Sequence, residues 1–172
     1  MSNGQAQGGG EYLVGAYLQL VEKCDFVVYN VRPPGGGQEG LKEFDVLGLN
    51  FKSKTAYLCE VTTHIRGLRQ GAVDRVQRKH ERQKDYAKRY LNNFENVIFQ
   101  FWSPYVPVGY RTEHLKQIKG LELIINEEYS KRVGELQKKA KKQTEDTGNP
   151  AFRVLQILAH LRGLKYPLKG KL

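Results

Sequence analysis

Between Glu11 and Glu22 the apolar residues Leu13, Val14, Tyr17, Leu18, Leu20 and Val21 return at the spacing of an amphipathic helix. The next run, Phe26-Val27-Val28-Tyr29-Asn30-Val31, is β-branched and aromatic and predicts a strand. Pro33-Pro34-Gly35-Gly36-Gly37 ends it in a loop. Two further strands, about 44–51 and 56–63, flank the polar segment Lys52-Ser53-Lys54 and make a hairpin. Over about 72–91, Val73, Val76, His80, Ala87 and Leu91 mark a long helix with a narrow inward stripe. A fourth strand at 97–102 stops at Ser103-Pro104, and a short helix around 112–118 leads through Gly120 to a fifth strand at 121–125. Helices over 129–143 and 151–161, separated by Gly148-Asn149-Pro150, complete the order αβββαβαβαα, an α/β protein whose mixed sheet carries helices on its faces.

At 172 residues, 40% hydrophobic and 27% charged, the chain is sized for one domain with a core. That domain is expected over 11–172. Residues 1–10 have neither an apolar run nor a basic flank, so they read as a flexible lead-in rather than a secretory signal. Charges interrupt every apolar stretch far short of the roughly 20 residues that cross a bilayer, so a cytoplasmic protein with no membrane partner is expected. Cys24 and Cys59 are too few for a disulfide framework or a four-cysteine zinc site and read as reduced core thiols.

The formal charge of +10 turns attention to a polyanionic partner, nucleic acid first. It is unevenly spread. Residues 66–89 carry +6, residues 131–142 carry +5 and residues 153–172 carry +5, which leaves the remainder acidic. On the long helix Arg75, Arg78, Arg82 and Arg89 fall at steps of three, four and seven and share one ridge, spaced to meet successive phosphates. Arg75, Arg78 and Arg82 of this ridge, with Arg66 and Lys79, are the expected nucleic-acid contacts, and a face that merely keeps the protein soluble is the plainer account of the same residues.

The informative segment is Glu43-Phe44-Asp45-Val46-Leu47-Gly48-Leu49 followed by Leu58-Cys59-Glu60-Val61-Thr62. A carboxylate in the middle of an apolar strand costs desolvation unless it is paired or bound to a cation. A hairpin turn of Ser53-Lys54, or of residues 52–55, sets Asp45 opposite Thr62 and Leu47 opposite Glu60. Asp45, Glu60 and Thr62 then project from one side of the sheet within about 8 Å of each other. An odd-length turn would send Asp45 to the other face. Two close carboxylates call for a proton or a divalent cation between them, and oxygen ligands suit Mg²⁺ or Mn²⁺. Ion pairs of these acids with Arg66 or Lys42 are the alternative explanation.

The helix bearing Glu11, the strand, Asp45 in Phe44-Asp45-Val46-Leu47, then Glu60-Val61-Thr62, a helix and a strand resemble the PD-(D/E)XK nuclease superfamily, the restriction-endonuclease-like fold, and within it the Holliday-junction-resolvase-like branch. The resemblance covers roughly residues 11–125. It implies a metal-dependent endonuclease in which Asp45 and Glu60 ligate Mg²⁺ or Mn²⁺, Glu11 supports them and Gln70 assists. It departs at one position: the family's lysine falls at 62, where this chain has Thr62. A threonine hydroxyl can hold a water but supplies no positive charge. Arg66, Lys79 or Lys84 are the candidates to replace it. Failing that, the metal alone activates water, or the domain is a catalytically inactive nucleic-acid-binding module. DNA is expected ahead of RNA, and because nucleases of this kind that cut two strands often dimerise, a homodimer is within what the resemblance implies. A third reading is an assembly protein whose basic helices dock on an acidic partner.

Other chemistry is set aside. His64, His80, His114 and His160 lack zinc-site spacing, with His80 read as a packed core residue and His64 as a side chain on the same strand face as Thr62. Gly35-Gly36-Gly37 is not followed by the Gly-Lys-Ser/Thr of a phosphate-binding loop. Trp102, Tyr105 and Tyr110 could stack on bases, although packing at a strand end is the default. No serine sits in a Gly-x-Ser-x-Gly turn.

Overall fold

The computed structural model describes residues 8–32, 44–68 and 71–162. Its elements are α1 (Gly9–Leu20), β1 (Phe26–Val31), β2 (Phe44–Asn50), β3 (Thr55–Val61), α2 (Ala72–Tyr90), β4 (Asn96–Ser103), α3 (Tyr110–Lys116), β5 (Leu121–Ile125), α4 (Asn126–Lys142) and α5 (Pro150–Ala159). α1 starts at Gly9, inside the segment expected as a lead-in. The strands form one α/β sheet in the order β1-β2-β3-β4-β5. β1, β2 and β3 pair antiparallel, while β3, β4 and β5 pair parallel, so the sheet is mixed and changes character at β3. Among the described residues no helix is long and apolar enough to cross a membrane.

Period-two alternation sends neighbouring strand residues to opposite layers. Val46, Cys59, Trp102 and Ile124 pack against Val14, Tyr17 and Leu18 of α1, Leu136 of α4 and Phe152 of α5. On the other face Leu47, Ala56 and Leu58 meet Ala87 of α2, and Phe101 meets Val76 of α2 and Leu115 of α3. β3 is covered on both sides, which is why Thr55 to Cys59 are all buried. Cys24 and Cys59 are buried free thiols, and burial pushes both well up. His80 is likewise a packed histidine, 3.1 Å from the Lys119 carbonyl through Nε2.

The β2–β3 connection decides the site. Asn50 Oδ1 accepts a hydrogen bond from the Ser53 amide at 2.9 Å, and Lys54 takes a left-handed conformation with φ of 48°. These contacts close a turn of residues 51–54, and Thr55 already belongs to the strand, paired with Asn50. Val46 therefore pairs with Cys59 and Leu47 with Leu58. The turn is even in length, as a shared face requires, but the register differs from the expected one: the next position sets Asp45 opposite Glu60 rather than opposite Thr62.

Candidate metal and nucleic-acid site

Asp45 and Glu60 meet at the end of the antiparallel hairpin. Asp45 Oδ2 accepts from the Val61 amide at 2.7 Å, which ties its carboxylate to β3. Lys79 descends onto the pair from α2. Its Nζ donates to Glu60 Oε1 and lies 3.7 Å from Asp45 Oδ1. The side chains are 15% exposed for Asp45, 13% for Glu60 and 28% for Lys79. Among the described residues their counter-charge is Lys79 and not Arg66, and Lys42 lies outside those residues.

One ammonium does not satisfy two mostly buried carboxylates. Burial first, and then the Asp45 charge, push the Glu60 carboxyl up to about 8 against the opposing pull of Lys79. Burial disfavours the Lys79 ammonium, but the Glu60 and Asp45 charges outweigh it and hold the lysine above its ordinary value. Glu60 Oε2 is buried with no hydrogen-bond partner. Two hard carboxylates, one with an orphaned oxygen, fit a divalent cation that prefers oxygen ligands. Among the described residues no group of three His, Cys, Asp or Glu converges, so waters or phosphate oxygens would have to complete such a shell.

Beside the acids, Glu60, Thr62, His64, Arg75 and Lys79 line a cavity of about 180 Å³ backed by Phe101. Thr62 follows the last residue of β3 and is held by its amide to the Trp102 carbonyl at 2.9 Å. Arg75 stands one helical turn before Lys79. Arg78 and Arg82 lie further round α2, on its outer face with Asp74, Gln77 and Glu81. Arg66, Arg75, Arg78 and Arg82 are all exposed, and none pairs with a carboxylate among the described residues.

Glu11 and Gln70 are the other expected members. Glu11 is in the first turn of α1, in the layer across the sheet from α2. There Gly10 abuts Thr63 and Val61 at the end of β3, a contact that leaves no room for a Cβ. The Glu11 charge is felt by the Tyr29 hydroxyl. Gln70 lies outside the described residues, as does Gly35-Gly36-Gly37. Trp102 is 1% exposed and donates its indole N–H to Gln100 Oε1, so it is a core residue rather than a stacking platform, while Tyr105 and Tyr110 are exposed.

Lys79 was one of three candidate cations, and its signal is its place between the Val76/His80 stripe and the arginine ridge. Asn30 has a backbone conformation that the β-branched run around it does not predict. It sits between the paired residues Tyr29 and Val31 of β1, with φ of 51°. The available hint was an Asn, which tolerates left-handed backbone, inside a β-branched run. Compared with protein-family models, with curated proteins and with solved structures, the chain matches none significantly.

Proposed function

We propose that this protein is a metal-dependent endonuclease of the PD-(D/E)XK type, with the restriction-endonuclease-like arrangement of elements, hydrolysing phosphodiester bonds in DNA ahead of RNA. The observation that carries the reading is the meeting of Asp45 and Glu60 at facing positions, with one buried Glu60 oxygen unpartnered and a cation-lined cavity beside them. Asp45 and Glu60 would hold Mg²⁺ or Mn²⁺. Such a metal supplies a Lewis acid at the scissile phosphate and a bound water of lowered pKa. The Thr62 hydroxyl holds a water at the cavity wall. Lys79 brings from α2 the positive charge that the family places at position 62, where it can steady the developing anion. Arg75 faces the phosphate in the cavity, and Arg66, Arg78 and Arg82 hold the flanking backbone.

The test is cleavage of labelled single-stranded, duplex and branched DNA with and without Mn²⁺. Wild type should cut with Mn²⁺, and Asp45→Ala and Glu60→Ala should each cut at least about 10³-fold more slowly while binding DNA as tightly as wild type. Strongly salt-dependent binding with no cutting under any divalent metal would overturn the enzyme in favour of the binding module that Thr62 allows. Absence of both binding and cutting would leave the assembly reading.

A further inference from the structure

We infer that Lys79 is a built-in cation that occupies the metal position in the resting protein, and that a phosphate ester entering the adjoining cavity gives this lysine a new partner. Metal and phosphate ester then bind cooperatively. The inference rests on the reading of Asp45 and Glu60 as metal ligands, but not on cleavage.

The Lys79 ammonium contacts Glu60 and stands 3.7 Å from Asp45, reaching the two carboxylates that a divalent ion would bridge. An ammonium and a metal cannot both sit between those oxygens. Lysine suits an exchange of partners: it is a compact point charge on a flexible four-carbon stem, whereas a guanidinium fork locks its carboxylates in place. Displaced without an anion nearby, Lys79 would be left half-buried with no counter-charge, which opposes metal entry. The cavity removes that penalty. It is lined by Lys79 itself together with Thr62, His64 and Arg75, and Arg75 pairs with no carboxylate among the described residues. With an anion there, the divalent ion has both carboxylates, Lys79 has the phosphate, and every charge is matched. Linkage makes the effect reciprocal, each ligand tightening the other by the same factor.

The experiment measures Mn²⁺ binding to the full chain from the electron-paramagnetic-resonance signal of the free aqueous ion. Thymidine 5′-monophosphate is the probe ester, with nucleotide alone as control. In wild type the nucleotide should tighten Mn²⁺ binding about tenfold or more. Lys79→Met and Lys79→Gln, shown folded by circular dichroism, should bind Mn²⁺ about tenfold tighter than wild type without nucleotide, and the nucleotide should then change affinity less than about twofold. Arg75→Ala should lose most of the coupling, measured as the ratio of Mn²⁺ affinities with and without nucleotide. Unchanged Mn²⁺ affinity on adding nucleotide to wild type, or Lys79 variants that bind Mn²⁺ no tighter, overturns the inference. If none of these proteins binds Mn²⁺ with or without nucleotide, the metal reading falls with it. Full coupling in a protein that cuts no DNA would sink the nuclease reading alone.

Discussion

Two cations stand among carboxylates on opposite faces of the sheet, and they are built differently. On the α1/α4 face, Arg132 donates from Nε to Glu128 at 2.8 Å, from Nη1 to the Tyr17 hydroxyl at 2.6 Å and Glu22 at 3.2 Å, and from Nη2 to Glu122 at 3.3 Å. Its guanidinium also lies 5.1 Å over the Tyr17 ring. Glu22 takes a further hydrogen bond from Tyr57, and Glu122 takes one from Gln100. That network is closed, since the fork and its neighbours supply each of these acids with a donor. On the α2 face, Lys79 serves Asp45 and Glu60 alone, a buried oxygen is left over, and a cavity opens beside it. A cluster of acids around a base is therefore not by itself a site. The Arg132 cluster braces α4 against α1 and β5. The Lys79 cluster leaves one buried carboxylate oxygen without a donor.

The sharpest way to break this comparison is to remove each cation. Arg132→Met leaves Glu22 and Glu122 without the cation that pairs them and Glu128 with Lys131 alone. It should cost about 2–4 kcal/mol by urea denaturation, discounted from the loss of a fully buried pair because Glu122 and Glu128 are partly open to solvent. Lys79→Met should cost less than about 1 kcal/mol at pH 6, since Glu60, raised to about 8, already carries its proton there and only Asp45 loses a counter-charge. Equal costs would mean that both clusters are braces.

The two faces should also differ in pH dependence. Glu60 is raised above its ordinary value to about 8, so the stability tied to it is fully present below the unfolded carboxyl value and is lost as pH rises through about 8. Glu60→Gln should then gain on wild type between pH 5 and pH 9. On the proposed metal reading Mn²⁺ would have to displace the same proton, so apparent Mn²⁺ affinity should fall more than about tenfold from pH 8 to pH 6. Affinity that is flat with pH would contradict the Glu60 assignment. Glu128 runs the other way: its hydrogen bond from Arg132 lowers its carboxyl, so its contribution is intact at neutral pH and is lost only as pH falls through that lowered value.

The smallest expected effect lies on the outer face of α2. Arg78→Ala and Arg82→Ala should each weaken DNA binding across all sequences and reduce the slope of log affinity against log salt by about 1, leaving Mn²⁺ binding untouched. A salt slope unchanged in both variants would remove these two arginines from the proposed nucleic-acid contacts.

Local pattern carried most of the architecture. Helical spacing in α1 and α2, β-branched runs in β1 to β4 and the Gly148-Asn149-Pro150 break before α5 are visible in a linear chain because each depends on neighbours a few residues away. The even parity of the hairpin was also legible, because only that parity gathers Asp45 and Glu60 on one side. The register was not. It turned on the Asn50 side chain closing residues 51–54 and on Thr55 entering the strand, a competition between two even turns that side-chain hydrogen bonding settles.

What the chain by itself determined, then, is the order of elements, the segregation of basic charge and the two strand carboxylates, all consequences of residue type and short-range period. Tertiary structure alone decided which cation meets those carboxylates. Thr62 is the neighbour in sequence, yet the charge arrives from Lys79, nineteen residues after Glu60, because docking α2 on Phe101 and Leu58 sets which flank of the helix faces the strand ends. The same holds for Arg132, whose partners Tyr17 and Glu22 lie 115 and 110 residues away. Contacts of that reach follow from how layers pack, and no spacing along the chain encodes them.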